Sequence, residues 1–429
     1  MNFLEKADMA FLGKRILLGV TGGIAAYKAA ELARRLIGCG AGVKVVMTRS
    51  AQEFVGTMTF AALTGKKVGT GLWSAETNPL EHIALGQEVD AIVVAPATAN
   101  FIGKVAGGIG DDLLTTIMLA ATRPVLICPA MNNEMWANPV VQGNLARLKG
   151  RGLLVMEPAA GSLACGAEGL GRLPEPDLIV EAAARLLCVP DLAGRRVLVT
   201  AGPTHEDFDP VRFLTNRSSG KQGYALARVA WRRGADVTLV SGPTSLPAPY
   251  GVKYVAVRSA RDMGAEVKAR FPEVDVLLMA AAVSDYRPTQ AEIRKIKRAH
   301  EEMQFHLTQN PDILKQVALF KKEQIVVGFA AETHDLEAEA RRKMMEKHLD
   351  LIVANDVNRP DSGFQVDTNE VTLIPRVGDP VPLPLLSKEE VAAKILDQVV
   401  ALLETRDGAL TKRTKSTKST KSTKSTKNA

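Results

Sequence analysis

The chain has 429 residues, 46% of them apolar, which is the composition of an ordinary soluble globular protein and enough for two or three domains with cores of their own. Its formal net charge of +7 hints at a polyanionic partner, but Lys412, Arg413, Lys415, Lys418, Lys421, Lys424 and Lys427 account for all of it, so the rest of the chain is neutral. That location argues against a specific nucleic-acid interface. No apolar run approaches the roughly 20 residues needed to span a bilayer, and residues 1–10 carry Glu5, Lys6 and Asp8 where a signal peptide would be apolar. Cys39, Cys128, Cys165 and Cys188 are too scattered for a disulfide framework or a zinc site, so a reducing, cytoplasmic setting without membrane contact is expected.

In chain order, Arg15–Val20 reads as a parallel strand, Thr21–Ile24 as the turn after it and Ala25–Leu36 as an amphipathic helix. Val43–Met47 follows as a second strand. Glycines at the start of that helix suit either a mononucleotide or flavin phosphate or simply a tight packing turn; the full Gly-x-Gly-x-x-Gly spacing of a dinucleotide site is missing. Ala91–Ala95 and Val125–Cys128 are further buried strands. Between them, Asp111 and Asp112 read as caps for a helix over Leu113–Ala120. Asn132 and Asn133 lie where the chain leaves the Val125–Cys128 strand, the edge at which open parallel sheets bind ligands. An amide there can orient a carboxylate or merely close a turn. His82 precedes the Ala91 strand and reads either as a structural imidazole or as a base. The glycine-dense stretch from Glu157 to Pro174 reads as a flap that leaves Cys165 reachable.

After Pro190–Gly194 the pattern restarts with strands at Arg196–Thr200 and Asp236–Val240 around a helix opened by Gly220, so a second α/β domain is expected. Asn216-Arg-Ser-Ser-Gly220 offers donors at a helix start, as an anion cradle or as simple caps. Strands follow at Val276–Met279 and Ile325–Phe329. Lys295 and Lys297 sit in a polar loop, and Lys343 and Lys347 are one helical turn apart. Such cations suit a polyphosphate or stand as solvated surface residues. From Asp407 a Thr-Lys-Ser repeat cannot build a core and is expected to be disordered.

These motifs together resemble the bifunctional phosphopantothenoylcysteine decarboxylase / phosphopantothenate–cysteine ligase family of coenzyme A biosynthesis. The motifs that carry the resemblance, in the family's order from Lys14 to Leu403, begin with Val20-Thr-Gly-Gly-Ile-Ala-Ala-Tyr-Lys28, the His82 segment, Pro129-Ala-Met-Asn132 and Ala164-Cys-Gly166. Asn216-Arg-Ser-Ser-Gly-Lys221, Ala281-Ala-Val-Ser-Asp-Tyr-Arg287, Lys295-Ile-Lys297 and Gly328-Phe-Ala-Ala-Glu-Thr333 complete the set. Two positions depart from it: Arg298 stands where a lysine is usual, and Ala167 precedes Glu168 where an acid is usual.

The resemblance implies two doubly wound α/β domains. They are a flavodoxin-like FMN domain over residues 1–190 and a Rossmann-like ligase domain over 191–406, followed by a disordered basic tail over 407–429. It implies that Gly22, Gly23, Ile24, Ala25, Thr48, Thr98 and Met131 surround FMN. His82 would be a base, Asn132 would hold the substrate carboxylate, and Cys165 would donate a proton from the flap. In the second half, Lys295 would stabilise the first transfer, from CTP with Mg²⁺, while Asn216 and Arg212 would hold the acyl-cytidylate. Met279, Ala280, Ala281, Asp285, Pro311, Asp312, Ile313, Leu314, Phe329, Lys343 and Lys347 would line the nucleotide site; the metal ligands are left open. The expected small-molecule partners are 4′-phosphopantothenate, cysteine, CTP and 4′-phosphopantothenoylcysteine. The expected assembly is a homo-oligomer of trimeric FMN domains and dimeric ligase domains, up to a dodecamer. The alternatives are a flavin-dependent peptidyl-cysteine decarboxylase or flavoprotein sensor with a nucleotide-binding appendage, and a nucleic-acid-binding protein driven by the tail.

Overall fold

The structure, a computed structural model, describes residues 8–72, 80–162, 166, 168–297, 304–332, 336–356 and 366–422. It divides into two compact units, Met1–Val189 and Pro190–Ala429.

In the first unit, β1 (Arg15–Val20), α1 (Ala26–Gly38) and β2 (Gly42–Met47) make a βαβ start. Three short helices follow, α2 (Arg49–Gln52), α3 (Thr57–Thr64) and α4 (Glu81–Gln87). Then come β3 (Ala91–Ala97), α5 (Ala99–Gly107), α6 (Leu113–Ala120), β4 (Val125–Pro129), α7 (Asn133–Ala137), α8 (Pro139–Gly150) and β5 (Leu154–Val155). A hairpin of β6 (Ala159–Ser162) and β7 (Glu168–Arg172) precedes α9 (Pro176–Leu187).

The parallel strands lie in the order β2-β1-β3-β4-β5. Both faces are covered, which is why β3 and β4 are apolar at every position and wholly buried. Leu17, Ile92, Val94 and Ile127 pack against Phe101, Ile102, Ile117 and Leu145 of α5, α6 and α8. Helices α1 and α9 cover the other face. Each large side chain buried this way contributes about 1.5–3 kcal/mol. The sheet order reverses between β1 and β3, and such a switch point opens a crevice beyond the carboxyl ends of the strands.

The second unit runs β8 (Arg196–Ala201), β9 (His205–Asp207), β10 (Phe213–Thr215), α10 (Lys221–Arg232), β11 (Asp236–Ser241), β12 (Lys253–Ala256) and α11 (Ala260–Arg270). It continues through β13 (Val276–Met279), β14 (Tyr286–Pro288), β15 (Leu307–Gln309), α12 (Ile313–Ala318), β16 (Ile325–Glu332), α13 (Leu336–Glu346) and β17 (Leu351–Asp356). It ends with β18 (Thr368–Asn369), β19 (Val371–Pro375), β20 (Val381–Pro382), β21 (Leu386–Ser387) and α14 (Lys388–Ser422).

Its main sheet has the order β12-β11-β8-β13-β16-β17-β19-β20, with the last two strands antiparallel. Numbered by appearance, the six parallel strands read 3-2-1-4-5-6, the order of the doubly wound dinucleotide-binding sheet. Alternation along β8 sorts the layers. Val197 and Val199 face α10 and α14, whereas Leu198 faces Met263 of α11, Ile313 of α12 and Met344 of α13. A one-residue slip would exchange the two sets, so the register is fixed by the core.

Ser387 and Glu390 start α14 with reciprocal side-chain bonds to each other's amides, at 3.2 and 2.8 Å. Its core residues end at Leu403. The backbone helix continues to Ser422. An established helix adds residues at little cost, and past Gly408 the repeat has no proline or glycine to stop it. Among the described residues no helix is long and apolar enough to cross a membrane.

Candidate functional site

At the first sheet edge, Gly22 to Ala25 follow β1, Thr48 follows β2, Thr98 follows β3, and Met131 and Asn132 follow β4. These strands are consecutive neighbours in the sheet, so the structure brings the segments to one edge. The Thr21 hydroxyl donates to the Pro96 carbonyl at 2.8 Å and accepts the Thr98 amide at 3.0 Å, lacing the β1 and β3 turns across the switch point. Thr48 and Thr98 have a local reason for being threonine, since their hydroxyls cap α2 and α5.

A Cβ on Gly22 would lie 2.4 Å from the Ser50 Cβ and 2.7 Å from its carbonyl carbon, so only glycine lets the β1 loop rest on α2. A Cβ on Gly23 would meet nothing nearer than the Thr98 methyl at 3.8 Å, and no side chain caps the N terminus of the 13-residue helix α1. This open cradle against a helix N terminus, where amides and the helix dipole favour an anion, fits the phosphate of a flavin mononucleotide. Ile24 and Tyr27, 63% and 61% exposed, project from the same turn.

The Asn132 Oδ1 accepts the Glu134 amide at 2.8 Å and caps α7. The turn reading of this residue therefore holds for its oxygen. The Met131 amide donates to the Gly171 carbonyl at 2.9 Å, which seats β7 of the hairpin on this stretch. Gly171 has φ 154°, and a Cβ there would lie 2.2 Å from the Met131 carbonyl oxygen. The flap is thus a hairpin, and its approach requires glycine. Cys165 lies outside the described residues; on either side of it Ser162 pairs with Glu168. His82 is half-buried in the first turn of the crossover helix α4, which packs on α6, and is the one described residue of this set not at a strand end.

At the second edge, Asn216 donates from Nδ2 to the carbonyls of Val283 at 3.0 Å and Ala282 at 3.4 Å. The β8 and β13 ends are stitched together here. Thr200 and Thr204 hydroxyls accept the Ala281 and Ser284 amides at 3.2 and 3.0 Å, and the Ala282 amide donates to Gly202 at 2.9 Å. Gly202 and Gly220, at φ 73° and 77°, both pass the Thr244 methyl too closely for a side chain. Gly220 starts α10 with no side-chain cap. Met279 is buried, Ala280 and Ala281 are half-buried at the strand end, and Phe329 is half-buried on β16. The Asp285 carbonyl accepts the Asn310 amide at 2.7 Å, joining this loop to the segment before α12.

Asp312 caps α12 and forms an ion pair with Lys347 at 3.0 Å, while the Lys347 amide donates to the Lys343 carbonyl at 3.0 Å. Pro311 is exposed and Leu314 half-buried; the Ile313 side chain belongs to the core beneath Gly264 rather than to an open surface. Lys295 is exposed on its loop. The Arg212 guanidinium donates to the Ile296 carbonyl at 3.3 Å.

Several residues at this edge carry no sequence signal beyond a turn or a helix start. Asn310, 7% exposed, donates to the Ser284 carbonyl at 2.9 Å and accepts from Arg287 at 3.0 Å. The Ser284 hydroxyl is buried at the strand end without a hydrogen-bond partner, which a polar ligand group would supply. Asp209, 2% exposed, accepts the amides of Val211, Arg212 and Ile296 at 2.7, 2.8 and 3.1 Å. Burial opposes its ionisation, but the three amides outweigh it and hold the carboxyl below the usual carboxylate range. Among the described residues no group of three or more His, Cys, Asp or Glu could hold a metal. An Mg²⁺ arriving with a nucleotide takes most of its ligands from phosphates and water.

Comparison with known proteins gives each unit its own family model. Residues 7–187 match the Flavoprotein family model, and residues 192–403 match the model of the DNA/pantothenate metabolism flavoprotein C-terminal domain. Over 395 residues the chain is 47% identical to the coenzyme A biosynthesis bifunctional protein CoaBC of Bacillus subtilis (strain 168), covering 91% of this chain and 97% of that one. Over 405 residues it is 45% identical to the corresponding protein of Escherichia coli (strain K12), covering 93% and 100%. The crystal structure of the C-terminal domain of a CoaBC protein is 44% identical, covers 50% of this chain and 99% of that chain, and has a TM-score of 0.44. With identity of this level along nearly the whole length, the chain belongs to the family of coenzyme A biosynthesis bifunctional proteins.

Proposed function

We propose that the second unit joins 4′-phosphopantothenate to cysteine through an acyl-cytidylate made from CTP with Mg²⁺, and that the first unit decarboxylates the 4′-phosphopantothenoylcysteine so formed to 4′-phosphopantetheine. The observation that carries this reading is the pair of switch-point edges, one an open glycine cradle at a helix N terminus and the other flanked by lysines and arginine.

At the first edge FMN, when bound, supplies the electron sink that a cysteine carboxylate lacks. Gly22, Gly23, Ile24, Ala25, Thr48, Thr98 and Met131 would hold it, and the uncapped start of α1 would suit its phosphate. Asn132 orients the substrate carboxylate while its oxygen caps α7. His82 takes the proton released on the thiol side, and Cys165 returns one after CO₂ has left. The Gly171-seated hairpin brings the flap onto Met131.

At the second edge the pantothenate carboxylate displaces pyrophosphate from the α-phosphorus of CTP, and the cysteine amine then displaces CMP from the acyl carbon. Lys295 meets the charge that develops on the transferring phosphoryl group. Asn216 and Arg212 hold the acyl intermediate, and the β13 end with Asp285, the Pro311–Leu314 segment, Phe329, Lys343 and Lys347 holds the nucleotide. We place both reactions in the cytoplasm, a reducing setting that suits Cys39, Cys128 and Cys188, which form no disulfide. Exposed Ile24 and Tyr27 beside the first edge, and Phe213, Tyr286 and Phe305 in the second unit, suit a homo-oligomer of trimeric FMN domains and dimeric ligase domains extending to a dodecamer.

The test is a coupled assay with 4′-phosphopantothenate, cysteine and either CTP or ATP. Purified protein should be yellow, release pyrophosphate with CTP and evolve CO₂. A colourless protein that takes up no FMN refutes the first half, and pyrophosphate release without cysteine-dependent amide formation refutes the second.

A further inference from the structure

The loop that carries Lys295 is clamped from below, and the clamp is built on a single buried carboxylate. Ile296, the residue between Lys295 and Lys297, has both of its backbone polar groups held by the 209–212 turn. Its N–H donates to Asp209 Oδ2 at 3.1 Å, and its carbonyl accepts from Arg212 Nη2 at 3.3 Å. A second tie lies four residues earlier, where the Glu292 amide donates to the Phe208 carbonyl at 2.8 Å.

Asp209 itself has little freedom. Its other oxygen closes its own turn through the amides of Val211 and Arg212, its side chain is fully shielded from solvent, and Arg212 lies 3.9 Å away as its counter-charge. A carboxylate loaded with three amides is a stiff post. Lys295, by contrast, is exposed and sits in a loop without regular secondary structure. A long cation on such a loop has no reason of its own to stay near one place, and its value to a transition state depends on staying there.

We propose that Asp209 is a positioning residue for ligation, fixing the Lys295 loop before nucleotide binds and linking it to Arg212. The proposal rests on the ligase reading above. Asp209 acts through the Ile296 peptide and through Arg212 and touches no reacting atom, so its loss should lower turnover more than nucleotide affinity. Asparagine keeps the size but has one acceptor oxygen for three donors, so one side of the clamp must open.

The experiment uses the full-length protein and the Asp209→Asn variant, with two readouts. Ligation with CTP should fall in kcat by about tenfold or more while KM for CTP stays within about threefold. Hydrogen exchange should quicken in the 289–297 loop and remain slow in β13. The exchange measurement reads the clamp even if CTP proves not to be the substrate, so failure of the ligase reading and failure of this proposal are separable. A loop that exchanges as in the parent, or a kcat within about twofold of it, overturns the proposal. If Asp209→Asn loses protection throughout the second unit, Ile296→Pro decides, because it deletes the same hydrogen bond from the other partner and leaves the 209–212 turn intact. A loosened loop with slowed ligation then supports the clamp, and parental exchange in residues 289–294 with parental turnover overturns it.

Discussion

At the first sheet edge the residues expected around FMN (Gly22 to Ala25, Thr48, Thr98 and Met131) are uncharged, with Lys28, Arg49 and Glu134 among their chain neighbours; at the second those expected around the nucleotide include Arg212, Lys295, Asp312, Lys343 and Lys347, with Asp209 beneath. The first edge is held together by Thr21 reaching across to Pro96 and Thr98 and by a hairpin seated through Gly171. The second adds a charged anchor beneath a cationic loop. Both are switch points of doubly wound sheets, so architecture alone does not choose the ligand. A planar ring with one phosphate is gripped by shape and by a helix N terminus. A triphosphate that changes charge distribution during transfer needs cations kept in place.

The contrast makes predictions that can break it. Lys295→Gln should slow pyrophosphate release by about 10²–10³-fold, as loss of a charge-stabilising donor does elsewhere. Decarboxylation of supplied 4′-phosphopantothenoylcysteine should be unchanged; if both rates fall together, the two edges are not independent. Gly171→Ala should do the reverse. Its Cβ would press on the Met131 carbonyl, and a hairpin displaced by about 1 Å should cost roughly a hundredfold in decarboxylation while ligation continues. Parental decarboxylation in that variant would show that the hairpin's seat is irrelevant.

Smaller effects sharpen the same division. Leu278 is fully buried in the second unit, so Leu278→Ala should cost about 2–5 kcal/mol there. Flavin release on heating should keep its midpoint; a shift in it would mean that the units share their stability. A change of pH gives an effect of similar size. Burial pushes the Lys388 ammonium down to about 8, helped by Lys221 and opposed by Asp367. An unfolded lysine titrates near about 10.4. Between those values the unfolded chain binds more protons, so stability should rise with pH across that window. Lys388→Met should remove the rise, and an unchanged slope between pH 8 and 10 would refute the assignment.

Most of the parallel strands were legible because burial on both faces leaves apolar runs such as Ala91–Ala95, Val276–Met279 and Ile325–Phe329; the equally apolar β17 was not read. The Asp112 cap was legible because a capping box is local. The half-exposed strand β12 was not, and neither was the antiparallel edge of β19 and β20, which lacks such runs. At the first edge Gly22 and Asn132 announced a turn, but only the sheet order shows that they share an edge. Asp209 was invisible as a site residue. Its partner Ile296 lies 87 positions away, and an Asp-Pro pair in sequence reads only as a turn. Asn310 was hidden for the same reason, since the carbonyl it reaches belongs to another loop.

The last core residue of α14 is Leu403, and the Arg195 and Arg406 contacts to Asp407 are the final described side-chain ties. Beyond Gly408 the backbone helix runs on to Ser422. The repeat is therefore the natural point for a fluorophore, a surface linkage or a fused partner, and a chain ending at Gly408 keeps every core residue of both sheets. The evenly spaced lysines that dominate the protein's isoelectric point become, on this view, a removable handle. Cutting it would change how the protein runs on an ion exchanger and leave its chemistry as it was.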